Sequence, residues 1–150
     1  MISVTINLDT SRFDRMMSDF PGAMARAQRQ ALEWIGKHVA FDTSRAFKSP
    51  SLRPAPWAPR KSGGKHPLLI KHPTSGLWKS FGSYLKGTDR VVVYTDKEYA
   101  GYHQFGTKKM PARPFFPFDR SGRPTPRIMR KIKADIDAAY GAELRKLGGH

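Results

Sequence analysis

The stretch from Tyr99 to Phe118 constrains the fold more than any other part of the chain. It begins with Tyr-Ala-Gly-Tyr-His-Gln-Phe-Gly and ends, after four further residues, with Pro-Ala-Arg-Pro-Phe-Phe-Pro-Phe. Pro111, Pro114 and Pro117 fix their own φ angles and bias the residue before each of them toward extended backbone. Such a segment cannot join the interior of a sheet, because proline has no amide hydrogen to donate. We therefore predict a short helix, a glycine stop and a stiff arm (residues 107–123) that lies against another surface.

The helix that precedes the arm has candidate signals at both ends. Thr95 or Asp96 can cap its start, because either side-chain oxygen can accept hydrogen bonds from the free amides of a first turn. Glu98 would then lie in that first turn, where the helix dipole favours a carboxylate. Gly106 is suited to the left-handed backbone that ends many helices. The sequence thus predicts a helix between Asp96 and Gly106.

Arg113 is the charged residue of the segment between Pro111 and Phe118. A buried guanidinium requires a charged partner or several hydrogen-bond acceptors. We therefore expect Arg113 to contact either a neighbouring subunit or acidic residues of its own domain. Phe115 and Phe116 would supply the apolar part of the same docking surface. An equal alternative is that the phenylalanines of the arm simply cover the core of their own domain.

The order Tyr-Ala-x-x-His-Gln-x-Gly and then Pro-Ala-Arg-Pro-Phe resembles the signature of the virion morphogenesis proteins of tailed phages. These are the neck or tail-completion proteins that join head and tail. The matching positions are Tyr99, Ala100, His103, Gln104, Gly106, Pro111, Ala112, Arg113, Pro114 and Phe115. A second part of the pattern, Trp57-Ala58-Pro59 and Ser75-Gly76-Leu77-x-x-Ser80, resembles the same family less closely. There Arg60 replaces the usual leucine, and Ser75 replaces the usual threonine.

This resemblance implies a structural virion protein rather than an enzyme, assembled in the host cytoplasm. It implies a ring-shaped homo-oligomer around the tail axis, for which we expect a hexamer, next to head-closure and tail-terminator or tail-tube proteins. No cofactor, metal or membrane partner is expected. The residues expected at subunit or partner interfaces are Trp57, Tyr99, His103, Gln104, Phe105, Gly106, Pro111, Arg113, Pro114, Phe115 and Phe116.

The charge of the chain favours an anionic partner. Its net charge is +15, with 27 basic and 12 acidic residues, and no acidic residue lies between Thr43 and Thr88. A polyanion or an acidic protein surface is the natural partner of such a chain. DNA in the lumen of the ring is one candidate, and the alternative function is a nucleic-acid-binding protein that uses its basic surface. The candidate polyanion contacts are Lys61, Lys65, Lys108, Lys109 and Arg123.

Residues 49–67 form a second proline-rich stretch, which leaves little room for a helix or strand. Long loops without regular structure are often functional or disordered until they bind. Trp57 lies in the middle of this loop. We expect the loop to be mobile in the monomer and to be ordered when Trp57 docks on a neighbour.

The remaining sequence predicts one α+β domain over residues 1–150, a small antiparallel β-sheet flanked by two long α-helices. Alternating apolar residues predict a strand at 2–8, and two further strands at 81–85 and 90–95 form a hairpin. Apolar residues at helical spacing predict a short helix at 13–20 and long helices at about 23–47 and 126–147. The consecutive valines 91–93 predict that the strand at 90–95 is covered on both faces. In the first long helix, Trp34 and His38 are expected on the apolar side, with His38 as a hydrogen-bonded core histidine. In the last helix, Leu144 and Leu147 are expected on the apolar stripe.

Enzymatic signatures are weak in this sequence. Cysteine is absent and there is no phosphate-binding glycine loop. His66 and His72 lack metal-ligand spacing. The sequence therefore favours a binding or structural protein.

Overall fold

The computed structural model describes residues 1–9, 11, 20–61, 63, 69 and 76–148. The short helix predicted at residues 13–20 falls outside these ranges except for its last residue, Phe20. Lys65 also falls outside them.

A three-stranded antiparallel sheet forms one layer of the fold, in the order β1-β3-β2. Its strands are β1 (Ile2–Asn7), β2 (Phe81–Lys86) and β3 (Arg90–Thr95). Val93 of the central strand lies opposite Val4 on one side and Ser83 on the other. The predicted hairpin is confirmed, with Lys86 opposite Arg90 next to a short turn.

The three consecutive valines of β3, residues 91–93, are all buried, as predicted for a strand that is covered on both faces. Alternate residues of a strand point to opposite faces. Val91 and Val93 therefore share the face that packs against the first long helix. Val92 lies on the other face opposite Tyr84, which makes an edge-to-face pair with Tyr94. These aromatic rings are what shields the second face.

The longest element is α1 (Pro21–Ala46). Proline suits the first helical position, because its φ angle is helical and its missing amide hydrogen has no partner there anyway. At the other end, the Arg53 side chain donates hydrogen bonds to the carbonyl oxygens of Ala46 (Nε, 2.7 Å) and Phe47 (Nη2, 3.2 Å). This cation satisfies carbonyls that the end of the helix leaves free.

Helix α1 packs directly on β2 and β3. Gly36 makes this possible, because a Cβ atom there would lie 2.6 Å from Val91 Cγ2 and 2.9 Å from Ser83 Cβ. The buried face of α1 is formed by Ala27, Ala31, Leu32, Ile35 and Val39. Trp34 is only half-buried and is not part of the core cluster. The prediction that Trp34 lies on the apolar face is therefore corrected.

The last helix, α3 (Pro126–Gly148), packs along α1, and two long helices on a small antiparallel sheet confirm the predicted α+β class. Buried carboxylates need hydrogen-bonded or charged partners. Each buried carboxylate between α1 and α3 has a partner on the other helix. The pairs are Asp135 with His38 Nδ1 (2.6 Å), Glu143 with Arg26 Nη2 (3.2 Å) and Asp42 with Arg127 Nε (3.6 Å).

The pairs between α1 and α3 decide two sequence predictions. His38 is hydrogen-bonded, as predicted, and its partner is 97 residues away. The apolar stripe predicted for α3 is wrong at its end, since Leu144 and Leu147 are exposed and Glu143 takes the buried position. Arg26 and Lys146 make this burial favourable, because both contact the Glu143 carboxylate.

The centre of the core is a cluster of aromatic rings contributed by separate parts of the chain. Phe47 follows α1, Trp57 comes from the proline-rich loop, Phe81 begins β2, and Phe115 and Phe116 come from the arm. Neighbouring centroids in this cluster are 5.2–5.9 Å apart, which is typical of tilted and edge-to-face aromatic contacts. Loop and arm therefore pack onto the helix and sheet of their own chain.

Among the described residues, no helix is both long enough and apolar enough to cross a bilayer.

Candidate assembly site

The short helix α2 (Ala100–Phe105) begins later than the sequence predicts. Its N-cap is Tyr99, and no side chain caps it. Thr95 instead ends β3, where its hydroxyl contacts the Ser80 hydroxyl and accepts a hydrogen bond from the Lys97 amide. The predicted cap at Thr95 or Asp96, with Glu98 in the first turn, is therefore wrong. The Thr95 hydroxyl is hydrogen-bonded at the end of β3 and is therefore not available to cap α2.

Gln104 fastens the arm to α2. Its side-chain oxygen accepts hydrogen bonds from the amides of Phe115 (3.0 Å) and Phe116 (3.2 Å). One residue earlier, the carbonyl of His103 accepts a hydrogen bond from the Arg113 amide at 2.7 Å. The arm cannot pair these amides within a sheet of its own, so α2 supplies the acceptors.

Gly106 ends α2, as predicted, with φ 75° and ψ 176°. This region of backbone conformation is open essentially to glycine alone. A Cβ atom at this position would also lie 2.8 Å from the Ala112 amide nitrogen and 3.0 Å from the Met110 carbonyl oxygen. Gly106 thus allows the arm to turn back against the end of α2.

Trp57 and Arg113 join the proline-rich loop to the arm. The Trp57 indole Nε1 donates to the Pro114 carbonyl (2.7 Å), while Arg113 donates to the carbonyls of Ala58 (Nε, 3.0 Å) and Pro59 (Nη2, 3.3 Å). Both side chains are buried. Prolines interrupt both segments, so a regular backbone ladder between them is not available and side chains provide the donors.

These contacts correct three expectations from the sequence. Trp57 docks on its own chain, and Leu52 and Trp57 are the buried residues in the described part of the loop. Arg113 contacts main-chain carbonyls rather than acidic residues or another subunit. Phe115 and Phe116 are core residues and not a docking surface, which is the alternative that the sequence left open. We refer to Trp57, Gln104, Gly106 and Arg113 as the arm clamp.

A row of three aromatic side chains at α2, which we call the aromatic row, remains exposed beside the arm clamp. Tyr99, Tyr102 and Phe105 are 41%, 61% and 74% exposed. Their spacing of three residues places them on neighbouring positions of the helix surface. Tyr99 and Phe105 were expected at an interface. Tyr102 was missed, although this spacing was visible in the sequence.

A groove of about 970 Å³ lies beside this aromatic row. One wall is β1, an outer strand of the sheet, and the other is the arm. Phe105 and Gln104 lie on its lining together with the apolar arm residues Pro114, Phe116 and Phe118. The groove therefore joins the exposed aromatic row to a mostly apolar concave surface.

The remaining predicted site residues are scattered over the surface. Lys108 and Lys109 are exposed on a tight turn after Gly106, in which the Thr107 amide donates to the Met110 carbonyl (2.8 Å). Pro111, Lys61 and Arg123 are exposed at other positions, and Pro114 is half-buried. No three described His, Asp or Glu side chains are placed to hold a metal ion.

His103 lies under the aromatic row, with its ring edge-on to Tyr99 at 6.0 Å. Its buried Nδ1 has no hydrogen-bond partner among the described residues. Burial, with a smaller contribution from the positive charge of Arg113, lowers the pKa of His103 below its ordinary 6.5. In the unfolded chain the pKa returns to the ordinary value, so at mildly acidic pH the unfolded state binds more protons. His103 therefore reduces stability as the pH falls through and below 6.5.

We expect the free energy of unfolding of the wild-type protein to decrease between about pH 7.5 and pH 5, and that of His103→Gln to decrease less steeply. Urea denaturation at several pH values measures both slopes. Equal slopes for the two proteins would show that His103 is not held in its neutral form by the fold.

Comparisons with protein-family models, curated proteins and solved structures found no match for this chain.

Proposed function

We propose that this protein is a structural component of a tailed-phage particle that forms a ring around the tail axis, completes the tail and joins it to the head. Its neighbours in the particle would be head-closure and tail-terminator or tail-tube proteins. The resemblance of two sequence patterns to neck proteins supports this proposal. The observation that carries it is that the residues of the main pattern act together in one structural unit.

Within that unit, the arm clamp is internal and the aromatic row is external. Gln104, Gly106 and Arg113 hold the arm, and the arm holds α2 in a fixed position. Contiguous exposed aromatic side chains mark protein–protein interfaces more often than free surface. A rigid aromatic row loses little conformational freedom when a partner binds. We therefore assign the aromatic row and the groove beside it as the contact with a second copy of the chain.

In the proposed ring, the aromatic row and the groove would contact a different surface of the next subunit, because a closed ring of more than two subunits requires head-to-tail interfaces. Head-to-tail interfaces of this type repeat until the rotation closes. In this proposal the exposed lysines Lys108 and Lys109 form part of the polar rim around the aromatic row.

The double variant Tyr102→Ser, Phe105→Ser is expected to abolish ring formation without unfolding the monomer. Both side chains are largely exposed in the monomer, so their removal should change its stability by no more than about 0.5 kcal/mol. Size-exclusion chromatography with light scattering measures the assembly, and far-ultraviolet circular dichroism checks the fold.

Tyr84→Ser is the matched control, because Tyr84 is 50% exposed on the sheet, away from the aromatic row. It should assemble like the wild type. Normal assembly of the double variant would show that the aromatic row is not the interface between subunits. A wild-type protein that stays monomeric at high concentration, at low and at high salt, would contradict the proposed ring.

A further inference from the structure

Basic and aromatic side chains alternate along the outward side of α1. Three- and four-residue steps place Trp34, Lys37, Phe41, Arg45 and Lys48 on one stripe. Phe41 is 55% exposed, the three cations are exposed, and Trp34 is half-buried. Twelve residues of helical rise, from Trp34 to the end of α1 at Ala46, give the helical part of this α1 stripe a length of about 18 Å, and Lys48 follows in the turn after it.

A second tryptophan extends the α1 stripe at its C-terminal end. Trp78 lies in a short turn beside α1, where its carbonyl accepts a hydrogen bond from the Ser44 hydroxyl. Lys48 Nζ and Lys79 Nζ lie 4.2 Å and 4.8 Å from the Trp78 ring centroid. Cation–π contacts of this kind hold both ammonium groups at the Trp78 ring. At Phe41, the Arg45 guanidinium carbon lies 5.4 Å from the ring centroid.

The charges of the α1 stripe are not balanced by the acidic residues of α1. Glu33 pairs with Arg29 at 3.2 Å. Asp42 is buried and lies 3.6 Å from Arg127 and 3.9 Å from Lys131, so it draws further cations toward the stripe. The chain then has no acidic residue until Asp89. The potential over the α1 stripe is therefore positive and attracts an anionic partner.

We propose that the α1 stripe binds single-stranded nucleic acid. At the stacked spacing of about 3.4 Å per nucleotide, the helical part of the stripe, about 18 Å long, accommodates about five nucleotides. The cations would contact phosphates, and the exposed ring of Phe41 would stack on an unpaired base. An acidic protein surface would use the same cations, but the alternation of aromatic rings with cations along the stripe favours a strand whose bases stack while its phosphates pair. The proposal is independent of the ring proposed above, because it uses none of the residues of the aromatic row.

Fluorescence anisotropy with a labelled oligothymidylate of about 20 nucleotides tests this at low salt and over a salt titration. Lys48→Glu combined with Lys79→Glu is expected to weaken binding about tenfold or more and to lower the salt dependence. Phe41→Ala is expected to weaken binding to the single strand about fivefold or more, and to leave binding to a duplex of equal length nearly unchanged. Lys37→Gln combined with Arg45→Gln provides a second variant that leaves the Trp78 contacts intact.

The matched control is Arg130→Glu with Lys133→Glu, which makes the same change in net charge at two exposed positions of α3, outside the α1 stripe and the aromatic row. It should retain nearly all of the oligonucleotide affinity. Equal weakening by this control would show that binding follows net charge alone, and would overturn the assignment to the α1 stripe. Competition by polyglutamate as effective as that by unlabelled oligonucleotide would assign the stripe to an acidic protein instead. No wild-type binding at low salt, or no effect of Phe41→Ala, would also overturn the proposal.

Discussion

Phe115→Ala is expected to lower the free energy of unfolding by about 3–5 kcal/mol. The Phe115 side chain is 0% exposed, and its ring centroid lies 5.3 Å from those of both Phe47 and Phe81. Truncation to alanine would leave a cavity where the arm, the end of α1 and the sheet meet, and the ring contacts there would be lost. Chemical denaturation followed by tryptophan fluorescence measures the change, since Trp57 belongs to the same cluster.

Phe105→Ala provides the comparison within the same stretch of sequence. Phe105 is 74% exposed, and the corresponding change in stability should lie within about 0.5 kcal/mol. Phe115→Ala should therefore affect the stability of the fold, whereas Phe105→Ala should affect assembly. A cost below about 1 kcal/mol for Phe115→Ala would mean that the arm does not contribute to the core as described.

Arg113→Ala is expected to destabilise the monomer by about 2–3 kcal/mol. The substitution removes the donors of the hydrogen bonds to the carbonyls of Ala58 and Pro59, of which Ala58 is half-buried and Pro59 is exposed. The backbone bond from the Arg113 amide to His103 remains, so the arm should loosen rather than detach. Arg113→Lys should recover only part of the loss, because one ammonium cannot reproduce the planar fork of the guanidinium.

Amide hydrogen exchange locates the effect of Arg113→Ala. Exchange should become faster in residues 50–60 of the loop and in the arm, while β3 and the centre of α1 stay protected. Arg123→Ala is the control, since Arg123 is exposed and its backbone closes a turn with Asp119. Unchanged stability and exchange in Arg113→Ala would show that Trp57 and Gln104 hold the arm without it.

The local backbone chemistry was predictable from the sequence. Alternating residues located β1, the hairpin pattern located β2 and β3, and apolar residues at helical spacing located α1 and α3. Gly106 was identifiable as a helix stop, because few other residues tolerate a positive φ angle. Each of these features depends on residues close together in the chain, which is why pattern and propensity were sufficient.

The partners of the long-range side chains could be decided only by the tertiary structure. Trp57, Arg113 and Phe115 were all expected to be buried against a partner surface. The sequence does not distinguish a partner surface in the same domain from one on a neighbouring subunit. Their partners are far away in sequence: Arg113 binds a carbonyl 55 residues away, and Trp57 binds one 57 residues away. The half-buried position of Trp34 and the exposed position of Leu144 likewise depend on which sides of α1 and α3 meet other elements. Periodicity identifies a helix with an apolar side, but only the packed layers determine which of its side chains are removed from water.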